Sequence, residues 1–101
     1  MLTKIASIHD IPLGIIKSFT AGDKKIAIAN IDDVFYAVND ECTHEQCSLG
    51  DGTVDEERVL TCACHGARFD VATGKVLALP AMRDVATYPL KQEGDDLYVD
   101  L

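Results

Sequence analysis

Cys62-Ala63-Cys64-His65-Gly66-Ala67-Arg68-Phe69-Asp70-Val71-Ala72-Thr73-Gly74-Lys75-Val76 is the stretch on which the fold and the chemistry both turn. Upstream lies a second cluster, Cys42-Thr43-His44-Glu45-Gln46-Cys47, and the two clusters hold all four cysteines and two of the three histidines. Chance does not gather the rare metal-binding residue types this way. The ligand spacing is C-x-H, then residues 45–61, then C-x-x-H, which places two thiolates and two imidazoles on two loops that a β scaffold can bring together.

Both clusters are similar to the signature of the Rieske [2Fe–2S] proteins, and the likeness continues past them. Gly66 to Lys75 resembles the G-x-x-F-D-x-x-T-G-K run of Rieske ferredoxins that serve ring-hydroxylating oxygenases, and it extends to Ala78-Leu79-Pro80-Ala81. The resemblance implies a [2Fe–2S] cluster with Cys42 and Cys62 on one iron and His44 and His65 on the other. It further implies that Cys47 and Cys64 form a disulfide joining the two cluster loops, as in Rieske proteins of quinol-oxidising complexes; two buried thiols are the plainer alternative. Gly66, Ala67, Phe69 and Pro80 then belong to the cluster environment, with the Pro80 loop covering one side. An ordinary turn with Pro at a strand end is the competing account of that loop.

Replacing two thiolates by neutral imidazoles removes negative charge from a cluster, so an added electron costs less. Rieske centres accordingly lie at about −150 to +300 mV, against about −400 mV for plant-type ferredoxins. High-potential members commonly carry a Ser after the C-x-x-H-G run and a Tyr two residues later, both donating to the cluster. Ala67 and Phe69 stand there and have no O–H to offer, so a potential near the low end of the range is expected. His44 and His65 form the expected docking edge. The carboxylates of Asp40, Glu41 and Glu45 flank the first loop, where they pair with a basic partner, lower the potential slightly by repelling the incoming electron, or are simply solvated.

Around these clusters the chain has the texture of an all-β protein. Apolar or alternating runs at Lys24–Ile31, Val34–Val38, Arg58–Cys62, Ala67–Val71, Val85–Leu90 and Leu97–Leu101 read as strands. Gly22-Asp23, Gly50-Asp51-Gly52, Thr73-Gly74 and Gly94-Asp95 read as turns that tolerate positive φ or bond their own backbone. Leu97, Val99 and Leu101 alternate with Tyr98 and Asp100, so this last strand is expected to close a sheet with one face buried. No segment sustains a helical period. The expectation is an all-β, antiparallel β-sandwich of Rieske type with a small cluster-binding subdomain, in which residues 1–101 form one domain and the cluster loops span about 40–82.

Composition narrows the function. The chain has 101 residues, 48% of them hydrophobic, and a formal net charge of −8. That charge repels a phosphate backbone, so nucleic acid is not an expected partner. The start of the chain shows no signal-peptide pattern, and the longest uncharged stretch, residues 59–67, is far below the roughly 20 apolar residues a spanning helix needs. A cytoplasmic protein without membrane attachment is expected. No nucleophile with a partnered base is visible, so the chain is read as an electron-transfer component rather than an enzyme.

The resemblance implies partners on both sides: a flavin- or iron–sulfur-containing reductase as donor, and a terminal oxygenase or other redox protein as acceptor. A carrier that visits two partners is most simply a monomer. The other readings are a Rieske-like small subunit of a nitrite reductase or other multi-subunit redox enzyme and, from a different class, a structural zinc module. The intact ligand set argues against the first and the C-x-H spacing against the second. His9, outside both clusters, is assigned no role.

Overall fold

Lys24–Ile31 organises the molecule: from Ile26 onward every residue of this strand is buried. A strand covered on both faces needs apolar side chains at successive positions rather than at alternate ones. Ile26 and Ile28 enter one core with Ala6, Ile11, Ala37, Leu97 and Val99. Ala27, Ala29 and Ile31 enter a second core with Val38, Leu49, Leu60, Phe69, Val71 and Val85. The sheet containing this strand is therefore the middle of three layers.

The computed structural model describes residues 2–43, 47–64, 66–79 and 83–101. The strands in order are β1 (Leu2–Ser7), β2 (Ile16–Ala21), β3 (Lys24–Ile31), β4 (Val34–Asn39), β5 (Thr53–Val54), β6 (Val59–Thr61), β7 (Arg68–Asp70), β8 (Val76–Ala78), β9 (Thr87–Tyr88), β10 (Leu90–Glu93) and β11 (Asp96–Asp100). Short 3-10 turns occupy Ile8–Asp10 and Leu49–Asp51. The sheets are β1-β11-β10, β2-β3-β4-β9 and β5-β6-β7-β8, and every named pairing is antiparallel. The third sheet, with the loops around it, is a small subdomain packed on the alanine face of β3. No described helix is long and apolar enough to cross a membrane.

Several expectations change. β11 does not close a sheet: it is the central strand of the first one, flanked by β1 and β10. Its alternation buries Leu97 and Val99, whereas Leu101 lies beyond the strand and is exposed. Val85–Leu90 is not one strand, because Thr87–Tyr88 pairs with β4 while β10 begins at Leu90 and pairs with β11. Pro89 sits at the switch between sheets. It has no N–H for a ladder, and its carbonyl accepts from the Asp100 N–H at 3.0 Å.

Gly50 and Gly52 are not left-handed turn residues either, since both lie outside the positive-φ set. Gly50 is needed for close approach, because a Cβ there would overlap the Ser18 hydroxyl. The turn between β3 and β4 instead uses Asp32 and Asp33, at φ 54 and 64. Asp tolerates the left-handed region better than most residues, and the Asp33 N–H is held by the Asn30 side chain at 3.0 Å.

After β7, Asp70 Oδ1 accepts from the N–H groups of Ala72 and Thr73, and the Asp70 carbonyl accepts from Gly74 N–H at 2.7 Å. Gly74 has φ +78, and a Cβ on it would overlap the Val85 carbonyl. A side chain at this position is strained twice, by backbone conformation and by contact. Gly74→Ala is expected to lower stability by about 1–3 kcal/mol, checked by chemical denaturation; an unchanged midpoint would refute this account of the turn.

Candidate metal centre

Cys42 follows β4 and Cys62 follows β6, so each sits where a strand leaves its sheet and enters a loop. The two loops close in the same way. Cys42 N–H donates to the Cys47 carbonyl at 2.9 Å, and Cys62 N–H donates to the Ala67 carbonyl at 2.8 Å. In both cases the bond runs from the cysteine to the residue five places on. The second loop tightens further where Gly66 N–H donates to the Cys62 carbonyl at 3.1 Å, with Gly66 at φ 75.

Cys42 and Cys62 are thiols outside the disulfide. They are 2% and 3% exposed and belong to the same core as Leu49, Leu60, Ala67 and Phe69. Cys47 and Cys64 are joined to each other, with Cα atoms 6.5 Å apart, so the two loops are covalently tied side by side. This bond is not buried: Cys64 is exposed and Cys47 is half-buried, and a surface cavity of about 440 Å³ lined by Lys24, Lys25, Glu41 and Tyr88 adjoins Cys47.

Two reduced thiols at the edge of one core, each heading a pinched loop, suit soft-metal ligation, and each loop carries a histidine in its sequence. The donor set fits a Rieske cluster. His44 and His65, with Pro80 of the proline loop, lie outside the described residues. Gly66 is exposed, while Ala67 and Phe69 are buried against the cysteines.

Two anchors escaped the sequence reading. Thr43, between the two proposed ligands of the first loop, donates its hydroxyl to the Arg83 carbonyl at 2.7 Å and ties that loop to the chain segment after Pro80. Asp40 is not a solvated flanking carboxylate. It is 4% exposed and accepts from the Ser18 hydroxyl at 2.6 Å, the Ser48 hydroxyl at 2.8–2.9 Å and the Gly50 N–H at 2.8 Å. Nothing local announced this, since its partners are on β2 and on the far side of the loop. Glu41, by contrast, is exposed. His9 is exposed and meets Asp95 at 3.2 Å between the first 3-10 turn and the β10–β11 hairpin, which leaves it without a part in the site.

Two pinched loops, each headed by a buried thiol and tied together by a disulfide, stand on this β scaffold, and the family model of the Rieske [2Fe–2S] domain matches residues 1–89. The chain belongs to that family, and its cofactor is the Rieske [2Fe–2S] cluster. Among known proteins it is similar to the ferredoxin component of biphenyl 2,3-dioxygenase from Rhodococcus jostii (strain RHA1), with 40% identity over 100 residues covering 99% of this chain and 92% of the relative. Its structure is similar to the ferredoxin of carbazole 1,9a-dioxygenase from Nocardioides aromaticivorans IC177, with a TM-score of 0.92 and 26% identity over 98% of this chain and 96% of that one. It is also similar to a chain in the complex of reduced oxygenase and oxidized ferredoxin in carbazole 1,9a-dioxygenase, with a TM-score of 0.88 and 30% identity over 97% and 91% of the two chains.

Phe69→Tyr adds an O–H at a position fully buried with both cysteines. If that hydroxyl donates to a cysteine sulfur it favours the reduced, more negative cluster, so the midpoint potential is expected to rise. Protein-film voltammetry checks this, and an unchanged potential would remove the hydrogen-bond explanation.

Proposed function

We propose that this chain is a one-electron carrier that receives electrons from an NAD(P)H-dependent reductase containing flavin or an iron–sulfur centre and delivers them to a terminal oxygenase or similar acceptor. The single observation that carries the proposal is the pair of buried thiols, Cys42 and Cys62, heading two identically pinched loops that Cys47 and Cys64 bind together. Cys42 and Cys62 would hold one iron, and His44 and His65 the other. When bound, the cluster supplies storage of one electron at a potential within about −150 to +300 mV.

The chain's own residues do the rest. Leu49, Leu60 and Phe69 back the two cysteines with apolar atoms and keep water from that side. Thr43 fixes the first loop against the segment at Arg83. Ala67 and Phe69 withhold hydroxyl donors, which keeps the potential toward the low end and suits a nicotinamide-fed chain of carriers. The imidazoles of His44 and His65 serve as the exit edge for the electron. The formal charge of −8 favours partners with basic docking patches. Residues 1–101 act as one domain, monomeric and cytoplasmic, with the cluster loops at about 40–82 and no bond-making chemistry of their own.

The test is reduction of the purified protein by candidate reductases, followed by stopped-flow transfer to candidate oxygenases. Transfer that slows as ionic strength rises is the expected result. A red-brown protein with a rhombic spin signal after dithionite supports the assignment. Material that carries zinc, or that holds neither iron nor acid-labile sulfide after anaerobic reconstitution, would refute it.

A further inference from the structure

Asp40 holds more of the first ligand loop than any other side chain described. Its Oδ1 accepts from Ser18 on β2, from Ser48 at the loop exit and from the Gly50 N–H of the following 3-10 turn, and its Oδ2 accepts from Ser48 as well. Its backbone joins in, with N–H donating to the Lys25 carbonyl at 3.1 Å and C=O accepting from Leu49 N–H at 2.6 Å. Glu41 and Ser48 then form an antiparallel bridge, directly before Cys42. The loop that begins at Cys42 is thus closed at its base by one buried carboxylate.

All three hydrogen-bond partners of this carboxylate, two hydroxyls and one backbone N–H, are neutral. A buried carboxylate with no ion-pair partner among the described residues is costly to keep, and hydroxyl and N–H donors compensate it only in part. If the loop needed only a hydrogen-bond hub, a neutral amide would serve with less desolvation. The Ser48 hydroxyl, which faces Oδ2, can rotate to accept from an amide N–H₂ there, while the amide oxygen at the Oδ1 position still takes the Ser18 hydroxyl and the Gly50 N–H.

We infer that Asp40 is a positioning residue with an electrostatic role: it fixes the base of the first ligand loop, so placing Cys42, and its buried negative charge disfavours the reduced cluster. This rests on the cluster assignment made above. By Coulomb's law, a unit charge on the order of 10 Å from a redox centre, at an effective dielectric of about 20, would change its equilibrium on the order of tenfold. The two parts separate experimentally, because Asp40→Asn removes charge while keeping shape, and Ser48→Ala keeps the charge while removing the donor shared by both carboxylate oxygens.

The experiment measures midpoint potential, spin-signal anisotropy and the rate of cluster loss in the iron-loaded wild type and both variants. Asp40→Asn is expected to favour reduction about tenfold, which is about 59 mV upward for a one-electron couple. Ser48→Ala is expected to lose its cluster several-fold faster, with altered spin-signal anisotropy and a potential equilibrium within about twofold of wild type. An Asp40→Asn potential at or below wild type overturns the electrostatic part; if that variant does not fold, the equally neutral Asp40→Ser must show the raised potential instead, and a potential at or below wild type there overturns it. Cluster loss from Ser48→Ala at the wild-type rate overturns the anchoring part. Wild-type protein without iron or labile sulfide would instead defeat the family-based assignment, so the two failures are distinct.

Discussion

Cys42→Ala is expected to abolish the [2Fe–2S] cluster outright: purified protein should be colourless, without acid-labile sulfide or a low-temperature spin signal after reduction. The cysteine is 2% exposed and lies outside the disulfide, so no other thiol of the first loop is placed to replace it. Cys47 is committed to Cys64. Cys62→Ala should behave identically. The folded β framework should survive both changes, because truncation to Ala removes a single sulfur from a core that Leu49, Leu60, Phe69 and Val71 fill. Circular dichroism of the variants against wild-type apoprotein checks that point. A variant that still binds two irons and two sulfides per chain would refute the assignment of the ligand.

Removing the disulfide is the second large effect. Cys47 and Cys64 are 17 positions apart, and closing a loop of that size stabilises the folded state by about 3 kcal/mol through the entropy of the unfolded chain. For a domain of this length, each kcal/mol corresponds to roughly 4–8 °C in Tm. The double variant Cys47→Ser, Cys64→Ser should therefore melt on the order of 10–25 °C lower as apoprotein. The iron-loaded form should fall by less, since a cluster ligated from both loops cross-links nearly the same segments and makes the covalent tie partly redundant. Differential scanning calorimetry of both forms decides the matter: a larger drop in the loaded form would refute the redundancy argument. Because Cys64 is exposed and a cavity reaches Cys47, a small dithiol should produce the same shift without mutation.

Local rules served well wherever burial followed from a residue's immediate neighbours. The run from Lys24 to Ile31 was legible as a strand with its ends in place, because five of its eight positions are apolar, four of them in succession from Ile26. The turns at Gly22 and Gly94 were legible because only a left-handed residue closes those hairpins. β2 escaped notice, since its full burial falls on Ile16 and Ala21 at its ends, with only Phe19 half-buried among the exposed polar Lys17, Ser18 and Thr20 between them. β5 and β8 are too short to show a period. The break at Pro89 was readable in principle from its missing N–H, yet the apolar run around it suggested continuity.

By itself the sequence determined the chemistry: two thiolates and two imidazoles on a pair of loops, a β scaffold, and no hydroxyl at Ala67 or Phe69. These are properties of residue type and short spacing, which a chain carries whether folded or not. Tertiary structure alone decided that β3 is shared between two cores, that β11 is central rather than terminal, and that Asp40 is buried. It also decided that Ser18 reaches Asp40 and Thr43 reaches Arg83. Those contacts span 22 and 40 positions, and a hydrogen bond between groups so far apart leaves no periodic trace, because its partners meet only after the sheets have stacked.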